Sequence, residues 1–208
     1  MRTVLSIVLG LLWAASLSAQ DNKPADHAAP TASKRPVVAT LTRQASAMKK
    51  LAAAMEGTWK ATVHMEASAW SPKAMVSNGS MVAKMGPGGL SLVQDFRSKG
   101  EMGPYAGLGV LWYDSQASAY KGLWCDTMSP DGCGDGGTGN WDGDKIVVTL
   151  DTMQSGKKSH LVTTYSFGPG TMTEEFQNSE DGGPLKRIML IEYKRVSGTA
   201  PQKPTGKG

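Results

Sequence analysis

Residues 56–66 read EGTWKATVHME, and their pattern decides the class of fold. Trp59, Ala61, Val63 and Met65 alternate with Thr58, Lys60, Thr62, His64 and Glu66. A period of two puts each set on its own face of an extended strand, with the tryptophan turned to a core and His64 to water. Residues 45–55, ASAMKKLAAAM, follow a different period, with Met48, Leu51, Ala52 and Met55 at helical spacing among good helix formers. Gly57 stops that helix where the chain must leave in a conformation that glycine adopts cheaply.

Beyond this point no stretch reads as a long helix. Short alternating runs predict about ten strands, at 58–67, 74–85, 89–98, 107–114, 118–126, 137–142, 144–152, 159–167, 171–178 and 186–195. Glycine-bearing turns separate them: MGPGG (85–89), WDGDK (141–145), SFGPGT (166–171) and EDGGP (180–184). The connections are too short for crossover helices, so neighbours in sequence should pair antiparallel. A meander of this length has two open edges unless it curls onto itself. The expected fold is all-β, a single antiparallel up-and-down barrel with a short N-terminal helix.

A Gly-x-Trp behind a short helix, at the head of a strand meander, resembles the lipocalin-like (calycin) barrels. That resemblance implies that Trp59 closes one end of the barrel beneath a basic residue of the last strand. The last strand, RIMLIEYKR, ends in Tyr193, Lys194 and Arg195, and Arg195 shares a face with Met189, Ile191 and Tyr193. Arg195, or else Lys194, is expected over the Trp59 ring. GTW, GPGGLSLVQDF, GVLWYD, AYKGLWCDTMSPDG and EYKR, in that order, look like a bacterial family of unknown function with a lipocalin-like barrel. The matching positions are Trp59, Tyr113, Asp114, Trp124, Asp126, Tyr193 and Arg195. The resemblance implies a fold and carries no reaction. Haem-binding barrels of the wider group open Gly-x-Trp-x-Gly-x-Gly, and GTWKATV lacks both later glycines, which counts against haem. No cofactor is expected.

The chain begins MRTVLSIVLGLLWAASLSAQ, with Arg2 ahead of an apolar run and small residues at Ser18 and Ala19. This reads as a secretory signal peptide over 1–19, too short for a membrane span. Residues 20–44 and 197–208, rich in Pro, Ala and polar residues, read as a flexible leader and tail. The barrel domain is expected over 45–196, without a transmembrane segment, in a secreted or periplasmic protein. The formal charge is +4, but residues 1–44 hold five Lys or Arg against two acids and the tail adds two Lys. That leaves fifteen against sixteen in 45–196, so the folded part has no excess positive charge for phosphates and nucleic acid is not an expected partner.

Cys125 and Cys133 are the only cysteines, and they bracket DTMSPDG. In an exported chain the pair reads as a disulfide pinning a loop, the alternatives being a metal site or a redox pair. The run DGCGDGGTGNWDGDK places Asn140, Asp142, Asp144 and Asp151 at spacings that invite calcium. Lys145 occupies the position that needs glycine, however, and IVVTL follows as a strand, so a hairpin turn is expected and no metal. The three histidines, His27, His64 and His160, do not cluster.

The face shared by Tyr120, Gly122, Trp124 and Asp126, that of Met172, Glu174 and Phe176, and that of Ile188, Leu190 and Glu192 are expected to line the interior. Asp126 and Glu174 are then either polar groups orienting a ligand or structural acids at the barrel ends, bonded to Arg97, Arg187 or backbone amides. Met65, Met75, Met81, Met85, Met172 and Met189 fill the core or soften a pocket. The functional expectation is non-catalytic binding of a small hydrophobic molecule by Tyr120, Trp124, Asp126, Met172, Glu174 and Phe176. The alternatives are an interaction or structural module of the cell envelope and, third, an enzyme using Asp126 and Glu174.

Overall fold

A computed structural model describes residues 37–68, 71–154 and 156–196. The expected signal peptide (1–19), residues 20–36 of the expected leader and the expected tail (197–208) lie outside them. Helix α1 spans Val37–Met55, so it starts well before the expected Ala45. Its first turns carry Val37, Val38, Thr40 and Thr42, β-branched residues of modest helix propensity, which is why composition hid them. Met48, Leu51 and Met55 recur on one face and are buried almost completely. The last helical bond runs from Glu56 N to Ala52 O (2.8 Å), and the chain turns out at Gly57 with φ +143°.

Ten strands follow: β1 (Gly57–Met65), β2 (Met75–Met85), β3 (Ser91–Gly100), β4 (Gly103–Asp114), β5 (Ala119–Asp126), β6 (Cys133–Asp142), β7 (Lys145–Gln154), β8 (Lys157–Gly168), β9 (Thr171–Glu180) and β10 (Lys186–Arg195). Each pairs antiparallel with the next, and β10 returns to β1 from Trp59↔Arg195 to Met65↔Met189. The sheet is therefore a closed barrel with no free edge, as expected. Strands β4 and β6 begin earlier than their alternation shows, because Gly103, Pro104, Gly134, Gly136 and Gly137 supply no pattern to read.

Strand β10 corrects one expectation. A register shift lies between Arg187 and Met189, so Met189, Ile191, Tyr193 and Arg195 continue the inward row, and Ile188 is buried as well. Leu190 is half-buried and Glu192 exposed, where Glu192 meets His64 (3.0 Å). Ile188, Leu190 and Glu192 therefore do not form a lining face; a bulge moves every later side chain to the other side.

The core lies inside the barrel at the end under α1. Trp59, Met81, Leu92, Met172, Ile191 and Tyr193 form one buried cluster with Met48, Leu51 and Met55. Burying a large apolar side chain of this kind stabilises by about 1.5–3 kcal/mol. At the opposite end Cys125 and Cys133 face each other across β5 and β6 and are joined as a disulfide (Sγ–Sγ 2.09 Å).

Candidate functional site

Three groups of side chains occupy the barrel from one end to the other. At the α1 end, Trp59 is sealed in: its indole N–H donates to Met55 O (2.9 Å), and the Tyr193 ring meets it edge-on with centroids 6.4 Å apart. The Arg195 guanidinium carbon lies 4.0 Å from the Trp59 ring centre, so Arg195 and not Lys194 is the covering cation. Its N–H groups donate to the carbonyls of Glu56 and Ala54, which the end of α1 would otherwise leave open. One side chain thus ties the last strand, the first strand and the helix together.

The middle of the lumen holds a buried carboxylate. Glu174 on β9 accepts a hydrogen bond from the Tyr193 hydroxyl (2.8 Å) and a second from Tyr165 on β8. Burial holds the Glu174 carboxyl above its ordinary value of 4.5, against the opposing pull of the two donors. Burial first, then the Glu174 charge, pushes Tyr165 and Tyr193 well above 10. Tyr105 on β4 stands beside them and is pushed up to about 12, chiefly by burial, with the charges of Asp126 and Glu174 adding to it. The Trp124 indole N–H is shared between the Tyr105 hydroxyl and Asp126 Oδ2, 3.1 Å from each. Gly107 and Gly109 on β4 make room for that indole, since a Cβ on Gly107 would lie 2.2 Å from it.

Asp126 sits at the far rim, and its acceptor positions are taken. Oδ1 accepts from Met128 N and Ser129 N (both 2.7 Å), and Oδ2 from Ser129 Oγ (2.8 Å) and Trp124. It shapes the loop that Cys125–Cys133 pins. Of the two acids, Asp126 therefore has the backbone-amide partners expected of a structural acid. Glu174 has tyrosines instead, while Arg97 pairs with Asp95 and Arg187 with Glu66. Among the described residues every buried side-chain nitrogen or oxygen has a hydrogen-bond partner.

Apart from these three groups, a cleft lies at the α1 end, on the side of β4, β5 and β6. Thr42, Arg43, Ser46, Ala47 and Lys50 of α1 face Tyr113, Tyr120, Asn140 and Trp141 across about 900 Å³. Tyr120 donates to Ala47 O (2.8 Å) and accepts from the Trp141 indole N–H (3.2 Å).

Residues 44–195 match the family described as Protein of unknown function (DUF1579). The chain belongs to that family. Among solved structures, Rv2717c from M. tuberculosis is similar at 16% identity and a TM-score of 0.51, over 72% of this chain and 97% of that one. At that identity the likeness shows the barrel fold alone. A search of curated proteins found no match.

Across this DUF1579 barrel the six residues expected to meet a ligand divide into two places. Met172, Glu174 and Phe176 form one inward row on β9, with Trp124 and Asp126 on β5 linked to them through Tyr105. Tyr120 stands apart in the cleft beneath α1. Sequence reasoning missed Tyr165 as a hydrogen-bond partner of Glu174, and Tyr105 beside the cluster. Their alternation with Gly107 and Phe167 on inward rows was the available signal. It also missed Lys50 over Trp141, 3.9 Å from the ring centre. No described group of three or more His, Cys, Asp or Glu is placed to hold a metal ion. Asp142 and Asp144 flank the β6–β7 turn at Gly143 (φ +62°), and His160 pairs with Asp151 (2.7 Å) on the surface.

Proposed function

We propose that this barrel binds, without catalysis, one small and mainly apolar molecule in its lumen, against Trp124, Phe176 and the Glu174 cluster. The Glu174 cluster carries the reading. A buried carboxylate costs free energy that an apolar side chain of the same volume avoids, so a barrel selected only for stability gains nothing from it. An apolar wall bearing a few convergent polar groups is the usual form of a small-molecule site. Tyr105, Trp124, Phe176 and Met189 lie on inward rows yet remain half-buried, which supports accessible space beside them. The same reading places the protein outside the cytosol, on the strength of its first twenty residues and of a disulfide that persists in oxidising surroundings.

A thermal-shift panel of fatty acids, sterols and tetrapyrroles tests it. A ligand at a hundred times its Kd adds about 2.7 kcal/mol, or roughly 5–10 °C in Tm for a domain of this size. At least one class should give such a rise, and Trp124→Leu should remove it. Flat melting curves across the whole panel would remove the proposal instead.

One observation favours an interaction module as the second reading. On the outer surface Val93 pairs with Val110, and Val110 with Leu123, while Leu108 and Leu123 are 43% and 40% exposed. Light scattering on the purified protein checks it: a stable monomer whose state is indifferent to Leu123→Lys speaks against self-association through this strip.

A further inference from the structure

The cleft beneath α1 is built differently from the lumen. Its helical wall is one stripe, Arg43, Ser46, Ala47 and Lys50, at positions i, i+3, i+4 and i+7. Its floor is aromatic and fixed. Trp141 donates to Tyr120, Tyr120 donates to Ala47 O, and Tyr113 packs edge-on against Tyr120 with centroids 5.2 Å apart. The polar atoms of Trp141 and Tyr120 are thus engaged within the protein; Tyr120 is buried, Phe167 packs against Trp141 with centroids 5.5 Å apart, and the Trp141 ring meets the cleft beneath the Lys50 side chain.

The charges point one way. Arg43 and Lys50 line the cleft, no described Asp or Glu does, and no ion pair between described residues uses either cation. Asp114 and Asp142 each follow a lining residue in sequence. Asp114 is engaged by Lys121 (2.7 Å) and by the amides of Gln116 and Ala117, and Asp142 is exposed at the β6–β7 turn. Exposed helix cations are ordinarily just solvated. Here they stand over a rigid aromatic floor, with the Lys50 ammonium already 3.9 Å from the centre of the Trp141 ring.

We infer that this cleft is a second binding site, separate from the lumen, for a planar aromatic molecule carrying a negative charge. The ligand's rings take the place of the Lys50 side chain over Trp141, beside Tyr113, the anionic group lies between Arg43 and the displaced Lys50, and the Asn140 amide is within the same walls. The open volume of about 900 Å³ lies in the range of small-molecule sites. This inference does not depend on the lumen holding anything.

A matched pair of dyes tests it on the whole protein. The probes are 8-anilinonaphthalene-1-sulfonate and N-phenyl-1-naphthylamine, which share their rings and differ by the sulfonate. The sulfonate should bind about tenfold more tightly at low salt. Arg43→Gln and Lys50→Gln should each weaken it by about threefold, and together with raised salt should bring the two dyes level. Both changes lie on an exposed helix face, and circular dichroism verifies the fold. Equal affinity of the two dyes for the unaltered protein overturns the inference. So does a sulfonate affinity that ignores both charge changes, or one that Trp124→Leu abolishes while they leave it intact.

Discussion

Helix α1 turns two faces to one barrel mouth. The face with Met48, Leu51 and Met55 is fully buried and belongs to the same cluster as Trp59, Leu92 and Tyr193. The face with Arg43, Ser46 and Lys50 is exposed and leaves a gap above Tyr113, Tyr120 and Trp141. The two rows lie a fraction of a turn apart, so one helix both stoppers the barrel and props it open. The contrast shows that a plugged mouth need be sealed only where apolar residues recur at i, i+3 and i+7; elsewhere polar side chains hold the helix off.

The largest test of that contrast is Trp59→Ala against Trp141→Ala. Emptying the Trp59 site should cost about 3–5 kcal/mol, the range for a large aromatic in a packed core. The half-buried Trp141 should cost less than half as much in urea unfolding, and equal costs would break the distinction between the two faces. Next comes the disulfide at the other end. Replacing both Cys125 and Cys133 by serine should remove about 2.5 kcal/mol by the chain-entropy estimate for so short a loop. The loss should add to that of Trp59→Ala, because the two sites share no partners. Arg195→Met should cost about 1–2 kcal/mol for the lost ring and carbonyl contacts. Arg195→Lys should recover little of it, since an ammonium cannot span both carbonyls as the planar fork does.

Glu174→Gln gives the smallest effect in acid and a growing one above it. With its folded value above 4.5, the native carboxyl holds its proton where the unfolded chain has released it. Its contribution is therefore most favourable below 4.5 and is lost as pH rises through the folded value. Relative to the parent, the glutamine variant should become steadily more stable from about pH 4.5 upward in melting experiments. Parallel pH profiles would mean that the carboxylate is as well solvated as one in water.

How far the sequence carries depends on the kind of signal. Period-two alternation in GTWKATVHM and its successors revealed the strands, and short glycine turns their order, because both patterns are local. The pairing of Trp59 with a cation of the last strand was legible through resemblance. The Glu174 cluster was half legible. Glu174 among apolar neighbours marked a buried acid, and Tyr165 stands directly across from it in the β8–β9 hairpin, a pairing that needs only the register of one turn. Tyr105 comes from β4, distant in sequence, and only barrel closure brings it round. The bulge after Arg187 was not legible: nothing in RIMLIEY distinguishes a strand in register from one shifted by a residue. The first turns of α1 escaped notice because Val and Thr suit strands as well as helices.

Closure of the barrel has a kinetic consequence. Among the described strands every ladder but one joins neighbours in sequence, so hairpins zip up with little chain to gather. The exception is β1 with β10, locked by Arg195 and Glu56 across 139 residues. Its loop-closure entropy must be met before its contacts give any return, so the seam should join after the folding barrier is crossed. Arg195→Met should then steepen escape from the native state while refolding proceeds at nearly the parental rate, a change confined to the unfolding arm of the chevron.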